Sequence, residues 1–138
     1  MFSIQKIGHS LGIFRQAFSL AFSEAWGRVF IRSLLIIALV ANILDWVATT
    51  FLYRALGDNL VVLHYNINFG IDLIGSRNQI FINPLLGLVF LLLDFGLVLF
   101  LAKDKHFKFV AHILLNAAVV VNVLLLLAIF SVYLINFR

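Results

Sequence analysis

The chain is predicted to be an all-α integral membrane protein, with three transmembrane helices preceded by an interfacial amphipathic helix. The first observation is that Lys and Arg are missing from residues 33–53, 78–102 and 109–137. These stretches hold 21, 25 and 29 residues and are almost entirely apolar. A helix needs about 20 apolar residues to cross the hydrocarbon core of a bilayer. Each stretch is therefore long enough for one span.

The second observation is composition. Hydrophobic residues make up 64% of the chain and charged residues 12%, whereas a soluble domain has roughly 45–50% and 25%. The absence of cysteine excludes disulfides and thiolate metal sites, and the net charge is +4. The basic residues flank the apolar runs, where anionic lipid headgroups are their natural partners. The bilayer is thus the predicted environment, and no nucleic-acid partner is expected.

The third observation is the periodicity of the N-terminal segment, residues 1–28. Its large apolar residues recur at steps of three and four and so share one helical face: Ile4, Ile7, Leu11, Phe14, Phe18, Phe22 and Trp26. The simplest interpretation is a helix that lies in the membrane interface. The alternative is a helix packed on the protein's own spans. Residues 29–138 then form a three-span membrane domain with an outer loop at 54–79.

The first span, from about Ser33 to Tyr53, carries Asn42 and Asp45 near its middle. A carboxylate at mid-membrane costs roughly 2.5–3.5 kcal/mol on insertion scales, so it should face protein or water. Asp45 is either a proton or ion ligand or a protonated or hydrogen-bonded residue that fixes helix packing. The sequence favours the structural role slightly, because a chain of three spans offers little room for a pathway.

The second span runs from about Ile80 to Ala102 and the third from about Phe109 to Ile135. Asp94 lies inside the second, at a depth that predicts an approach to Asp45. His112 and Asn116 are four residues apart on the third span and share a face. Asn122 points elsewhere. We therefore expect an intramembrane polar cluster, with its members drawn from all three spans: Asn42, Asp45, Asp94, His112 and Asn116.

Charge asymmetry predicts the orientation of the chain. The N-terminal segment and the turn at 103–108 together hold seven Lys and Arg residues, while the other side holds Arg54, Arg77 and Arg138. We expect a multi-pass protein of the cytoplasmic (inner) membrane. The N-terminus is predicted to be cytoplasmic, and the 54–79 loop and the C-terminus to lie outside.

The outer loop is too polar to span a bilayer and too apolar for a freely solvated connection. It opens with a turn signal at residues 57–59, and Gly70 and Gly75 interrupt it and are free to take positive φ. We expect it to cover the outer mouth of the bundle as a recognition surface. The alternative is an internal role, in which Asp72 pairs with Arg77 and His64 bonds a backbone carbonyl.

No catalytic pattern is present. The sequence has no phosphate-binding glycine loop and no zinc-protease helix, and its Ser and His residues form no recognisable nucleophile motif. His64 with Asp72 is only a weak candidate metal pair. A non-enzymatic protein without a cofactor or metal is therefore expected.

The stretch from His64 to Arg77, HYNINFGIDLIGSR, leads into a Pro-containing span. It resembles the loop-and-span module of the SdpI-type toxin-immunity membrane proteins and related uncharacterised small bacterial membrane proteins. There, a His-aromatic-Asn stretch is followed by Gly, an acidic residue, then Gly-Ser and a basic residue. The resemblance implies a shared membrane module and assigns its motif to six positions: His64, Asn66, Gly70, Asp72, Gly75 and Arg77.

These observations favour a membrane protein that acts through helix or outer-loop contacts with a protein partner or with copies of itself, as an immunity-like protein or complex subunit. The alternative is a small transporter or channel subunit that uses its intramembrane carboxylates. The two differ in whether Asp45 and Asp94 matter to a flux across the membrane.

Overall fold

The computed structural model describes the backbone of residues 2–57, 60–66, 68 and 70–137, and their side chains except those of residues 2–11, 14 and 66. Four helices and one β-hairpin make up this part of the chain. Their bounds are α1 Phe2–Trp26, α2 Val29–Ala55, β1 Val61–Asn66, β2 Gly70–Gly75, a 3₁₀ turn Arg77–Phe81, α3 Ile82–Phe100 and α4 Phe107–Phe137.

The three predicted spans are confirmed as helices. The segments Val29–Ala55, Arg77–Phe100 and Phe107–Phe137 are long and apolar enough to cross a membrane. Helices α2 and α4 extend two to four residues beyond the predicted spans at their ends. Most of their large apolar side chains face outward, as is typical of a bundle surrounded by lipid.

Helices α2 and α4 form the central pair of the bundle. They run in the same direction, because α3 returns the chain between them. Apart from Ala41 on α2, their buried positions follow a seven-residue repeat: Ile31, Leu35, Ala38, Asn42, Asp45, Thr49 and Leu52 on α2, and Phe107, Ala111, Leu115, Ala118, Asn122, Ile129 and Val132 on α4. Such a repeat keeps one face of each helix against its neighbour over many turns.

Helix α3 packs antiparallel against this pair. At mid-height Leu91 meets Ala38 and Ala118, and the small residues let the three backbones come close. Nearer the α3–α4 turn, Val98 and Ala102 join a larger core cluster with Ile31 and others. Pro84 is in the first turn of α3 and buried, where its missing N–H costs no helical hydrogen bond.

Helix α1 meets α2 at a break around Gly27 and Arg28. Its last turns pack on the bundle: Ala25 is buried in the same core cluster as Val98, and the Phe22 ring meets Phe95 edge-on at 6.2 Å between centroids. The last turns of α1 therefore contact the protein's own spans, and the location of α1 in the membrane interface stays a prediction. Half of Phe18 is exposed, and several predicted face residues, from Ile4 to Leu11 and Phe14, lie outside the described side chains.

The outer loop contains a β-hairpin, which the sequence analysis did not predict. Strands β1 and β2 pair antiparallel with a register irregularity around His64, and Gly70 begins β2 at φ 79°, a conformation that favours glycine. The hairpin and the 3₁₀ turn lie at one end of the bundle, called here the hairpin end. The opposite end, with the α1–α2 break and the α3–α4 turn, is called the basic end.

Candidate functional site

A network of side-chain amides joins the three spans inside the bundle. Asn42 Nδ2 donates to Asn122 Oδ1 at 2.9 Å and to the Pro84 carbonyl at 3.0 Å. Asn122 Nδ2 donates to the Ala118 carbonyl at 2.8 Å and to the Gly87 carbonyl at 3.5 Å. Both side chains are buried. Hydrogen bonds of this kind link helices across a membrane interior and fix their register.

Gly87 makes room for this network. A Cβ built at Gly87 would lie 2.8 Å from Asn42 Nδ2 and closer still to Asn122 Oδ1. No side chain fits there unless the amides move. The Asn42–Asn122 pair therefore requires glycine at this position of α3.

Asp45 and Thr49 continue the polar strip on α2 toward the hairpin end. Both are fully buried, yet within the described part of the chain neither Asp45 carboxylate oxygen nor Thr49 Oγ1 has a hydrogen-bond partner. A buried polar group without a partner costs roughly 1–3 kcal/mol of stability. The predicted structural role of Asp45, as a hydrogen-bonding residue between helices, is thus not supported.

Asp94 does not meet Asp45, contrary to the expected approach. Leu91 and Ala38 lie at the same height; from there Asp45 lies about two turns toward the hairpin end and Asp94 about one turn toward the basic end. At 1.5 Å per residue the two carboxylates are offset by roughly 15 Å along the bundle. The expected approach rested on residue counts from the predicted span ends. The amide network instead fixes a different register between α2 and α3.

His112 and Asn116 also lie outside the amide network. Both are exposed on α4, and Asn116 Nδ2 donates only within its own helix, to the His112 carbonyl at 2.7 Å. The His112 ring packs beside the Phe30 ring, 5.1 Å between centroids. The two residues do share a face, as predicted, but it is the outer face of the bundle.

Asn136, near the end of α4, holds the hairpin in place. Its Oδ1 accepts from the Val62 N–H at 3.0 Å, while its Nδ2 donates to the Val62 carbonyl at 2.8 Å and to the Val132 carbonyl at 2.8 Å. The amide thus bonds β1 as a neighbouring strand would. The N–H and the carbonyl of Val62 therefore both have a hydrogen-bond partner in the Asn136 side chain, on the side of β1 that faces away from β2.

The polar residues of the hairpin pair differently from the predicted internal arrangement. His64 Nδ1 lies 2.7 Å from Asp72 Oδ1 across the two strands, so Asp72 pairs with His64 and not with Arg77. The Arg77 guanidinium stacks on the Tyr53 ring at 4.5 Å from its centroid. Thus His64 and Asp72 pair with each other on the hairpin, whereas Arg77 contacts α2 through Tyr53. The side chain of Asn66 lies outside the described residues.

Gly75 has a packing role. Positive φ, expected at both loop glycines, occurs at Gly70 but not at Gly75. Instead, a Cβ at Gly75 would collide with the Gln79 side chain and come within 2.7 Å of Leu63 Cδ1. The glycine lets the 3₁₀ turn fold tightly against the hairpin.

A cleft opens between the hairpin, the start of α3 and the end of α4. It has a volume of about 750 Å³ and is lined by Leu63, His64, Tyr65, Leu73, Gln79, Ile80, Ile82, Asn83, Ala128, Ser131, Val132 and Ile135. Ligand sites in proteins occupy about 300–1,000 Å³ and combine an apolar lining with a few polar groups. This hairpin cleft has that size and composition, and among the predicted site residues whose side chains are described only His64 lines it.

Sequence reasoning missed Asn122 and Asn136, which hold the bundle and the hairpin together. The spacing that identifies both becomes readable once the buried residues of α4 are known. Asn122 and Asn136 continue the spacing of the buried positions Ala111, Leu115 and Ala118, so they belong to the buried face of α4. His112 and Asn116 fall between those positions.

Comparison with protein-family models, with curated proteins and with solved structures gives no match for the chain. In the part that the structure describes, no three His, Asp or Glu side chains lie together as a metal site would need. Among the described residues, the His64–Asp72 pair therefore has no third His, Asp or Glu beside it that could complete a metal site.

Proposed function

We propose that this non-enzymatic protein of the cytoplasmic membrane recognises a protein partner at its hairpin end, as an immunity-like protein or a complex subunit. The observation that carries the proposal is the hairpin cleft beneath a hairpin held to α4 by Asn136. A binding surface on a rigid support loses little entropy when its partner docks.

The chemistry of the cleft favours an extended apolar polypeptide segment as its occupant. Apolar side chains from the hairpin, α3 and α4 form most of the wall, and Gln79, Asn83 and Ser131 contribute neutral amides and a hydroxyl. Neutral donors and acceptors match backbone N–H and C=O groups, which must be satisfied where water is scarce. Strand β2 has Ile71, Leu73 and Ile74 about half exposed and offers a further edge for an extended chain.

Blocking the cleft tests the proposal. Ser131 is exposed and lines the cleft, so Ser131→Phe should fill it and reduce partner copurification by about tenfold, an effect of the size seen at interface hot spots. The matched control is Leu127→Phe on the same helix, at an exposed residue that does not line the cleft. A photo-crosslinker at 131 should give an adduct that is absent at 127, and an adduct of two chains would identify a homo-oligomer. Unchanged copurification by stably folded Ser131→Phe would remove the proposal.

The proposed orientation places the basic end in the cytoplasm and the hairpin end outside, following the excess of basic residues. Single cysteines at Ser76 and His106 of this Cys-free chain, exposed at opposite ends, provide the check. An impermeant thiol reagent added to intact cells should label position 76 and spare position 106, and the reverse pattern would invert the proposal.

A second candidate function, a small transporter or channel subunit, is favoured by the buried and unpartnered Asp45 carboxylate. An intramembrane carboxylate that costs stability and makes no bond is a candidate for a proton or ion pathway. Asp45→Asn should keep the thermal unfolding midpoint, and Asp45→Leu should keep or raise it, since no interhelical bond is lost. Loss of proton flux in proteoliposomes for Asp45→Asn would support this function; flux that survives would exclude it. Asp94→Asn serves as the comparison.

A further inference from the structure

The basic end of the bundle holds a cleft of about 440 Å³ between the end of α1 and the α3–α4 turn. Its charged lining comes from both elements: Glu24, Arg28, Lys103, Asp104, Lys105 and Lys108. Four cations thus face two carboxylates in a confined space. This cleft is separate from the hairpin cleft and from the amide network.

Both carboxylates of this basic cleft already have partners. Glu24 Oε1 accepts from Arg28 Nη2 at 3.0 Å, and Asp104 Oδ1 accepts from the His106 backbone N–H at 2.7 Å. The three lysines form no ion pair with any described residue. The Arg28 guanidinium also covers the Phe107 ring at 4.9 Å, and its buried Nε has no hydrogen-bond partner in the described part of the chain. With four cations and two carboxylates in its lining, the cleft carries a net formal charge of about +2.

An apolar groove adjoins the basic cleft. It lies between α1 and α3, has a volume of about 510 Å³ and is lined by Ala17, Phe18, Ala21, Gly96, Leu99 and Phe100. Lys103 lines both the groove and the basic cleft. The basic cleft therefore lies at one end of the apolar groove, which runs along α3.

We propose that this end of the protein binds an anionic phospholipid, with the headgroup phosphate in the basic cleft and an acyl chain in the groove between α1 and α3. Basic pockets between membrane helices are suited to anionic headgroups, and the groove supplies the contact that distinguishes a lipid from a water-soluble phosphate. The bound lipid would bridge α1 to the spans, independently of any partner at the hairpin end.

The charge arm of the test uses the full chain purified in mild detergent. Titration with short-chain phosphatidylglycerol should give saturable binding, and phosphatidylcholine of the same chain length should bind more weakly. Lys103→Gln with Lys108→Gln should weaken phosphatidylglycerol binding by about fivefold for each charge removed. Arg54→Gln, at an exposed basic residue of the hairpin end, is the matched control and should leave binding unchanged.

The groove arm separates a lipid from free phosphate. A Cβ at Gly96 meets nothing within 4 Å, so Gly96→Leu places its side chain in the groove, while Leu92→Phe adds bulk on an exposed position of α3 outside it. Gly96→Leu alone should reduce phosphatidylglycerol binding. Three results would overturn the proposal. Phosphatidylcholine could bind as tightly as phosphatidylglycerol, or the double Lys variant could bind phosphatidylglycerol without loss. The third is that inorganic phosphate binds as tightly as the lipid and Gly96→Leu has no effect.

Discussion

Replacing Gly87 by Ala should lower the free energy of unfolding by about 2–4 kcal/mol. Overpacking a tight interior costs about 1–3 kcal/mol, and each interhelical amide bond that is displaced costs about 1 kcal/mol. The new methyl group would occupy the space of Asn122 Oδ1 and crowd Asn42 Nδ2. The substitution therefore acts on the one network that joins α2, α3 and α4.

Denaturant titration of the detergent-solubilised protein measures this effect. Gly96→Ala is the control, because it lies on the same helix in open space and should be neutral or slightly stabilising. Asn122→Ala removes the atom that the new methyl group meets, so Gly87→Ala should cost less in that background. A full cost in the double variant would show that the destabilisation arises elsewhere on α3.

Asn136→Leu should release the hairpin from α4 and destabilise it by about 1–3 kcal/mol. Two hydrogen bonds to Val62 are lost, each worth about 0.5–1.5 kcal/mol, and the Val62 groups are left without partners. The spans should stay folded, because their own contacts do not involve this amide.

Hydrogen exchange at the Val62 N–H measures the release directly, since this N–H donates to Asn136 Oδ1. Exchange should accelerate by about fivefold or more, in keeping with 1.4 kcal/mol per decade. Asn116→Leu on the same helix removes only a bond to its own backbone and should leave the hairpin protected. Equal exchange rates in the two variants would show that other contacts hold β1.

The three spans could be predicted because length and apolar content alone decide whether a helix crosses a bilayer. Asn42 could be placed in the interior for a similar reason, since a lipid-facing amide is costly. Its partner could not be chosen with confidence. That choice depends on the rotational phase of α4, and the seven-residue repeat that places Asn122 inside and Asn116 outside becomes clear only when α2 and α4 are paired.

The hairpin was missed because its residues carry mixed signals. Strand β2 shows no alternation of apolar and polar residues, since nearly all of its side chains are exposed. The pairing depends on contacts from far away in the sequence, above all the Asn136 amide, which is 74 residues from Val62. The hairpin cleft also depends on contacts between distant parts of the sequence, because its walls come from two strands, the 3₁₀ turn and two helices.

The Asn42–Asn122 bond also imposes an order on biogenesis. The two residues are 80 positions apart, so at about 5–20 residues per second the ribosome adds Asn122 roughly 4–16 s after Asn42. During that interval α2 enters the bilayer with an amide whose final side-chain partner has not been made. Mature packing of the first span thus waits for the last one, and a chain interrupted after α3 would present an unfinished polar face to the quality-control proteases of its membrane.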